Sequence, residues 1–295
     1  MAVTLPSSVL DRYRRFSRFN SPYPAHDDGC AVDLYPDGET GRSPIAGVVR
    51  ETRTVGCPDR PYAADEDHLI AVELNDDWCR RAGATPGTVA RVLHVVPEVS
   101  PGDRVAVGDA LGPLTRSGFF GRWVDDHVHL GFRPPSANAL RASGSLPVDV
   151  DVPVEPIQWD GTGAVVERGP THVVLDMPTH PAPGRRFAAL ASDEGIPLDG
   201  GLAHYAGGGA FDALADGAAV SLWGTRVGVA RGRGLEWEPV DVLANSERVV
   251  GLSLFAARDG GFGAKVICPD RRFDLGETVS LSLAPSDDPI RLGVG

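Results

Sequence analysis

The chain has 295 residues, 42% of them hydrophobic, with 40 acidic against 28 Lys and Arg side chains and a net charge of -12 at pH 7. That length accommodates two ordinary domains with separate cores, and no apolar run reaches the 18 residues that would mark a membrane-spanning helix. The acidic balance disfavours phosphate backbones, so nucleic acid is not an expected partner.

Arginine supplies nearly all the positive charge, because Lys265 is the sole lysine. Acidic residues are spread along the whole chain and form no tail. Two origins fit this composition. One is adaptation to high salt, where carboxylates keep the surface hydrated. The other is a GC-rich coding bias, which favours Arg, Ala, Gly and Asp together.

In chain order, the first stretch from Met1 to Asn20 lacks the apolar core of a secretory leader, so a cytoplasmic protein is expected. The run Val9 to Phe16 predicts a short charged N-terminal helix over 8–18, within residues 1–19, with Ser8 and Asp11 placed like a capping box. Beyond it, apolar runs rich in β-branched residues lie between frequent glycines (36) and prolines (25). Ile45 to Val49, Leu69 to Leu74, Ala90 to Val96, His172 to Asp176, Ala219 to Trp223, Val249 to Leu254 and Val279 to Leu283 all read as strands. Short helices are expected over 136–142 and 184–192. A Pro-rich extended connector from Val148 to Pro156 predicts a domain boundary near 143–160. The fold class is therefore mostly β, with a first domain over 20–142 and an accessory β-rich domain of open role over 155–295. Cys30, Cys57, Cys79 and Cys268 form no C-x-x-C pair and are expected as free thiols.

The run Asp125-Asp126-His127-Val128-His129-Leu130 carries the chemistry. Residues two apart on a strand share a face, so His127 and His129 can aim two imidazoles at one point. Imidazole is a common zinc ligand and the usual acid/base near neutral pH. Upstream stand His26-Asp27-Asp28-Gly29-Cys30-Ala31-Val32-Asp33-Leu34-Tyr35, then Pro44-Ile45-Ala46-Gly47-Val48-Val49, then His94 in an apolar run, then Pro101-Gly102-Asp103-Arg104-Val105-Ala106-Val107-Gly108.

In this order the elements resemble those of the lysostaphin-type zinc metallopeptidases, over residues 22–133. The resemblance implies a β-sheet domain of the barrel-sandwich hybrid kind, related to the duplicated hybrid motif, that cleaves a peptide or amide bond with zinc. It makes His26, Asp33 and His129 the metal ligands, and His94 and His127 the pair that handles protons and the oxyanion. The family has three residues between the first His and the Asp, whereas six separate His26 from Asp33. The Asp-Leu-Tyr context favours Asp33, with Asp28 as the reserve ligand. Gly131 replaces the acidic residue that usually follows the His-x-His strand. Phe119, Phe120 and Trp123, within 116–126, are expected on a substrate rim.

Other readings stay open beside this one. The domain could be a non-catalytic relative that keeps the scaffold for binding. A biotinyl or lipoyl carrier shares the Pro-Gly-Asp hairpin but needs a lysine at its tip, and Lys265 lies outside the first domain. A phosphohistidine carrier would use His94 and His127 and leave Asp33 without purpose. His68, His172, His180 and His204 show no partner spacing and read as structural or surface. The run His204 to Gly209 reads as a flexible glycine loop. The expected partner is a peptide-like substrate, with no membrane and an open oligomeric state.

Overall fold

Alternating apolar residues dominate the first half, and they pair in rows. Val32 and Leu34, Ile70 and Val72, Ala90 and Val92, and Leu130 and Phe132 are all 0% exposed. Leu130 lies opposite both Val32 and Val92, and Val92 lies opposite Ile70. Each fully buried large aliphatic contributes roughly 1.5–3 kcal/mol, so a slip of one residue, which would turn this face outward, is strongly opposed.

The computed structural model describes residues 2–293. Met1, which opens the expected N-terminal helix segment, and residues 294–295 of the expected accessory domain lie outside the described residues. The chain is mostly β, with 43% in strands and 5% in helices. It divides into two compact units, Met1–Phe16 with Gly29–Val152, and Ser17–Asp28 with Pro153–Gly295. No helix among the described residues is long and apolar enough to cross a membrane.

In the first unit, antiparallel strands run side by side in the order Ala31–Tyr35, Val128–Arg133, Val89–Leu93, Glu66–Leu74, Gly47–Gly56 and Arg104–Val105. The strand Val3–Pro6 pairs in parallel with Val148–Asp151. The helix expected over 8–18 shrinks to one turn, Ser7–Leu10, preceded by Pro6 with no side-chain cap, so the Ser8 and Asp11 box does not form. The Arg14 N–H is taken by the Tyr35 carbonyl at 3.0 Å, and a strand Arg15–Ser17 begins where the helix would continue. Buried Val9, Leu10, Tyr13 and Phe16 reward that path over local helix propensity.

No helix forms over 136–142. That stretch wraps the buried Arg133 guanidinium, which donates to the carbonyls of Arg141 and Ala142 at 2.9 and 2.7 Å. A helix does form at Asp76–Ala82, outside the stretches where helices are expected. Asn75 caps it by accepting the Trp78 N–H, and Gly83 ends it at φ 66°. Trp78, Cys79 and Ala82 face inward.

The second unit holds a twelve-stranded sheet around a core that includes Leu175, Leu198, Val220, Val227 and Val266. The helix expected over 184–192 is replaced by a fully buried strand, Phe187–Leu190, parallel to Val154–Ile157. The run Gly207–Ala210 is a strand and not a flexible loop. Its glycines make room for aromatic rings: a Cβ on Gly209 would come 2.0 Å from the Phe19 ring, and one on Gly208 2.1 Å from the Trp237 ring. Residues 20–28, expected in the first domain, group with this unit. Asn20 donates to Ser253 at 2.7 Å, and Asp199 accepts the backbone N–H groups of Arg18 and Phe19 just ahead of this stretch. Lys265 is buried on the strand Lys265–Ile267.

Candidate metal centre

On the strand Val128–Arg133 the residues Val128, Leu130 and Phe132 turn into the core. His127 and His129 therefore emerge on the other face. The neighbouring strand places Asp33 directly opposite His129, and directly opposed side chains share a face. His129 Nδ1 lies 2.9 Å from Asp33 Oδ1, and His127 Nε2 lies 3.5 Å from the same oxygen. His127 Nδ1 donates to the Asp125 carbonyl at 2.9 Å.

His26 sits on a single helical turn, Pro24–Asp27, and is buried. Its Nδ1 donates to the Arg18 carbonyl at 2.6 Å. A carbonyl only accepts, so the proton rests on Nδ1 and the lone pair on Nε2. This is how metal-ligating histidines are usually held. One ligand atom each from His26, Asp33 and His129 lie within 4.8 Å of one another. Tetrahedral zinc with N and O ligands keeps them roughly 3.4 Å apart, a spacing inside the 4.8 Å limit. Two imidazoles and a carboxylate are a donor set suited to a divalent ion, and the three residues could hold one. Asp28 is exposed and lies outside this group, and Cys30, although buried, lies outside it too.

His94 reaches the same place by a different device. Ala90 and Val92 point into the core, so alternation would bury residue 94 there too. His94 instead takes a left-handed backbone at φ 67°, a conformation that costs free energy without glycine. Its ring centroid then stands 5.0 Å from that of His127 and 5.6 Å from that of His129. Asp67, which the sequence reading missed, holds it in place. Asp67 Oδ1 accepts the His94 backbone N–H at 3.1 Å, and Oδ2 accepts the ring Nδ1–H at 2.6 Å. Ser117 donates to Oδ2 at 2.9 Å and the His68 N–H to Oδ1 at 2.7 Å. Burial pushes the Asp67 carboxyl up, but the His94 charge and these hydrogen bonds outweigh it and hold the group below its ordinary value. The one local signal for Asp67 is a carboxylate at the entry to an apolar strand, where it is costly to bury unpaired.

An aromatic wall backs the imidazoles. Phe120 lies 4.6 Å from His127 and 5.1 Å from His94 between ring centroids, and Tyr35 lies 5.1 Å from His127. Trp123 packs on Tyr35, Phe120 and Val124. Arg116 clamps the 116–126 segment by donating to the carbonyls of Gly121, Arg122 and Val124, with its guanidinium over the Phe120 ring. Gly118 permits the close pass this needs, since a Cβ there would sit 1.9 Å from the Pro58 carbonyl oxygen. The His129 side chain is 20% exposed, against 2% for His127 and 4% for Asp33, so solvent reaches the group along His129.

A separate cavity of about 320 Å³ in the second unit is lined by Arg168, His172, Arg271 and Arg272. Arg168 and Arg271 are paired there with Asp274 and Glu247.

Two family models match the chain: the N-terminal domain of a domain of unknown function, DUF8155, over residues 4–150, and the C-terminal domain of the same family over residues 155–284. No curated protein and no solved structure matches. With both domains present in order, the chain belongs to the DUF8155 family.

Proposed function

We propose that this chain is a zinc-dependent hydrolase of peptide or amide bonds, similar in its site to the lysostaphin-type endopeptidases. The observation that carries the reading is the gathering of His26, Asp33 and His129 within 4.8 Å, with His94 and His127 beside them. Five polar side chains from distant stretches, most of them buried, carry a desolvation cost that an unused cluster would not repay.

In this reading His26, Asp33 and His129 hold the ion. Zinc there would supply Lewis acidity and lower the pKa of a coordinated water to roughly 7. Asp67 fixes the Nδ1–H tautomer of His94, so His94 accepts a proton at Nε2, and the adjoining carboxylate stabilises the resulting imidazolium. Passing that proton to a leaving amine is worth roughly 10²–10⁴ in rate. His127, with Nδ1–H on the Asp125 carbonyl, turns Nε2 toward the metal ligands and, when protonated, donates to a developing oxyanion. Phe120 and Tyr35 keep water from the back of both rings.

The test is elemental analysis of metal-depleted and reconstituted protein, followed by digestion of a peptide library with and without chelator. One zinc per chain and cleavage lost on chelation are expected. Failure to take up zinc specifically would end the proposal, and zinc uptake without cleavage would favour the binding alternative.

A further inference from the structure

We infer that Asp199 is a positioning residue for His26, acting through the Arg18–Phe19 peptide of the same compact unit. The inference rests on the metal reading of His26 above. Asp199 lies on the strand Leu198–Leu202 and is fully buried, in the same compact unit as Ser17–Asp28. Its Oδ1 accepts the Ser17 hydroxyl at 2.6 Å. Its Oδ2 accepts the backbone N–H groups of Arg18 at 2.6 Å and Phe19 at 3.2 Å.

The Phe19 N–H and the Arg18 carbonyl belong to one peptide unit. That unit is planar and trans, so its N–H and C=O point in opposite directions. Anchoring the N–H on Asp199 therefore aims the carbonyl the other way, and the Arg18 carbonyl is the group that accepts His26 Nδ1–H at 2.6 Å. Asp199 grips one edge of the plane and His26 the other. The remaining freedom of the segment is taken up nearby. Asn20 donates its side-chain amide to Ser253 and its backbone N–H to Ser17 Oγ at 3.1 Å, and the Phe19 ring sits over Gly209. Partners that orient a metal-ligating histidine typically change metal affinity by about 10–100-fold when removed.

The geometry makes a prediction that separates position from charge. In Asp199→Asn the amide oxygen can occupy the Oδ2 place and still accept both backbone N–H groups, while its NH2 faces the Ser17 hydroxyl, which can accept. In Asp199→Glu the charge stays but the extra methylene displaces the acceptor. Zinc dissociation constants of the full chain, measured by competition with a chromophoric chelator, should follow the order wild type and Asp199→Asn tight, Asp199→Glu and Asp199→Ala about 10–100-fold weaker. The visible spectrum of the cobalt-substituted protein should match wild type in Asp199→Asn and change in Asp199→Glu. Near-UV circular dichroism identifies any variant that fails to fold. If Asp199→Ala does fail, the Asn and Glu pair decides. Equal affinities throughout, or weak binding by Asn with normal binding by Glu, would overturn this inference alone, provided His26→Ala weakens binding. Absence of zinc uptake by the wild type would remove the metal reading itself.

Discussion

Replacing Asp67 tests whether His94 is a proton carrier or a core histidine. Asp67 is 0% exposed and accepts four hydrogen bonds, three of them from His94 and Ser117 in the interior. In Asp67→Ala those interior donors lose their acceptor. Each unsatisfied buried group costs about 1–3 kcal/mol, and Ser117 can turn its hydroxyl elsewhere, so a loss of about 3–5 kcal/mol is expected. Asp67→Asn is the sharper perturbation. Its amide oxygen can serve the His94 and His68 N–H groups, but its NH2 then confronts His94 Nδ1. The ring must give up the Nδ1 proton and carry it on Nε2, which removes the lone pair that would accept a proton in the proposed hydrolysis. Stability should fall by only about 1–2 kcal/mol, zinc affinity should hold, and hydrolysis should fall by about 10²–10⁴-fold. The assays are denaturant unfolding, zinc titration, cleavage of a substrate drawn from the library, and nitrogen NMR of the His94 ring. Wild-type cleavage by Asp67→Asn together with a tautomer shift would refute the assigned role. An unchanged Nδ1–H tautomer would refute the geometric argument beneath it.

The remaining predictions concern the ligands, the aromatic wall and the second unit. His129→Ala should lose the metal, whereas His127→Ala should keep zinc and lose cleavage; equal zinc loss in both would reject the division of roles. Gly118→Ala places a Cβ against the Pro58 backbone, and a thermal melt should show destabilisation of about 1–3 kcal/mol with weaker cleavage; an unshifted melt would contradict the close approach. Burial, opposed by the donors of Ser17, Arg18 and Phe19, raises the Asp199 carboxyl from 3.8 to about 6. The folded state then binds that proton more tightly than the unfolded chain, so Asp199's contribution to stability falls as pH rises from the lower value through the higher. The change is on the order of 3 kcal/mol. Unfolding measured across that window should show it in wild type and not in Asp199→Asn. Parallel pH profiles would count against it.

Strand content was legible because the signal is local. The runs at Leu69 to Leu74 and His172 to Leu175 alternate or concentrate β-branched residues within a few positions, and both are strands. Placement of His127 and His129 on one side needs only the period of two. The helix Asp76–Ala82 is marked locally too, by Asn75, the acidic first turn, the basic last turn and Gly83, but its apolar stripe is too short to give a clear helical period. The N-terminal helix went the other way: its residues suit a helix, but pairing of Arg14 with Tyr35 ended it after one turn. The glycines at 207–209 looked like freedom and serve as floor space under Phe19 and Trp237.

By itself, then, the amino-acid order determined a β-rich chain in two parts and a set of histidines and carboxylates with metal-ligand chemistry. Tertiary structure alone decided who meets whom. Asp33 faces His129 across 96 positions, Asp67 holds His94 across 27, and Asp199 holds Arg18 across 181. Such pairings follow from strand register and from the burial of whole rows of side chains. Those are properties of the packed sheet, and no single segment's composition carries them.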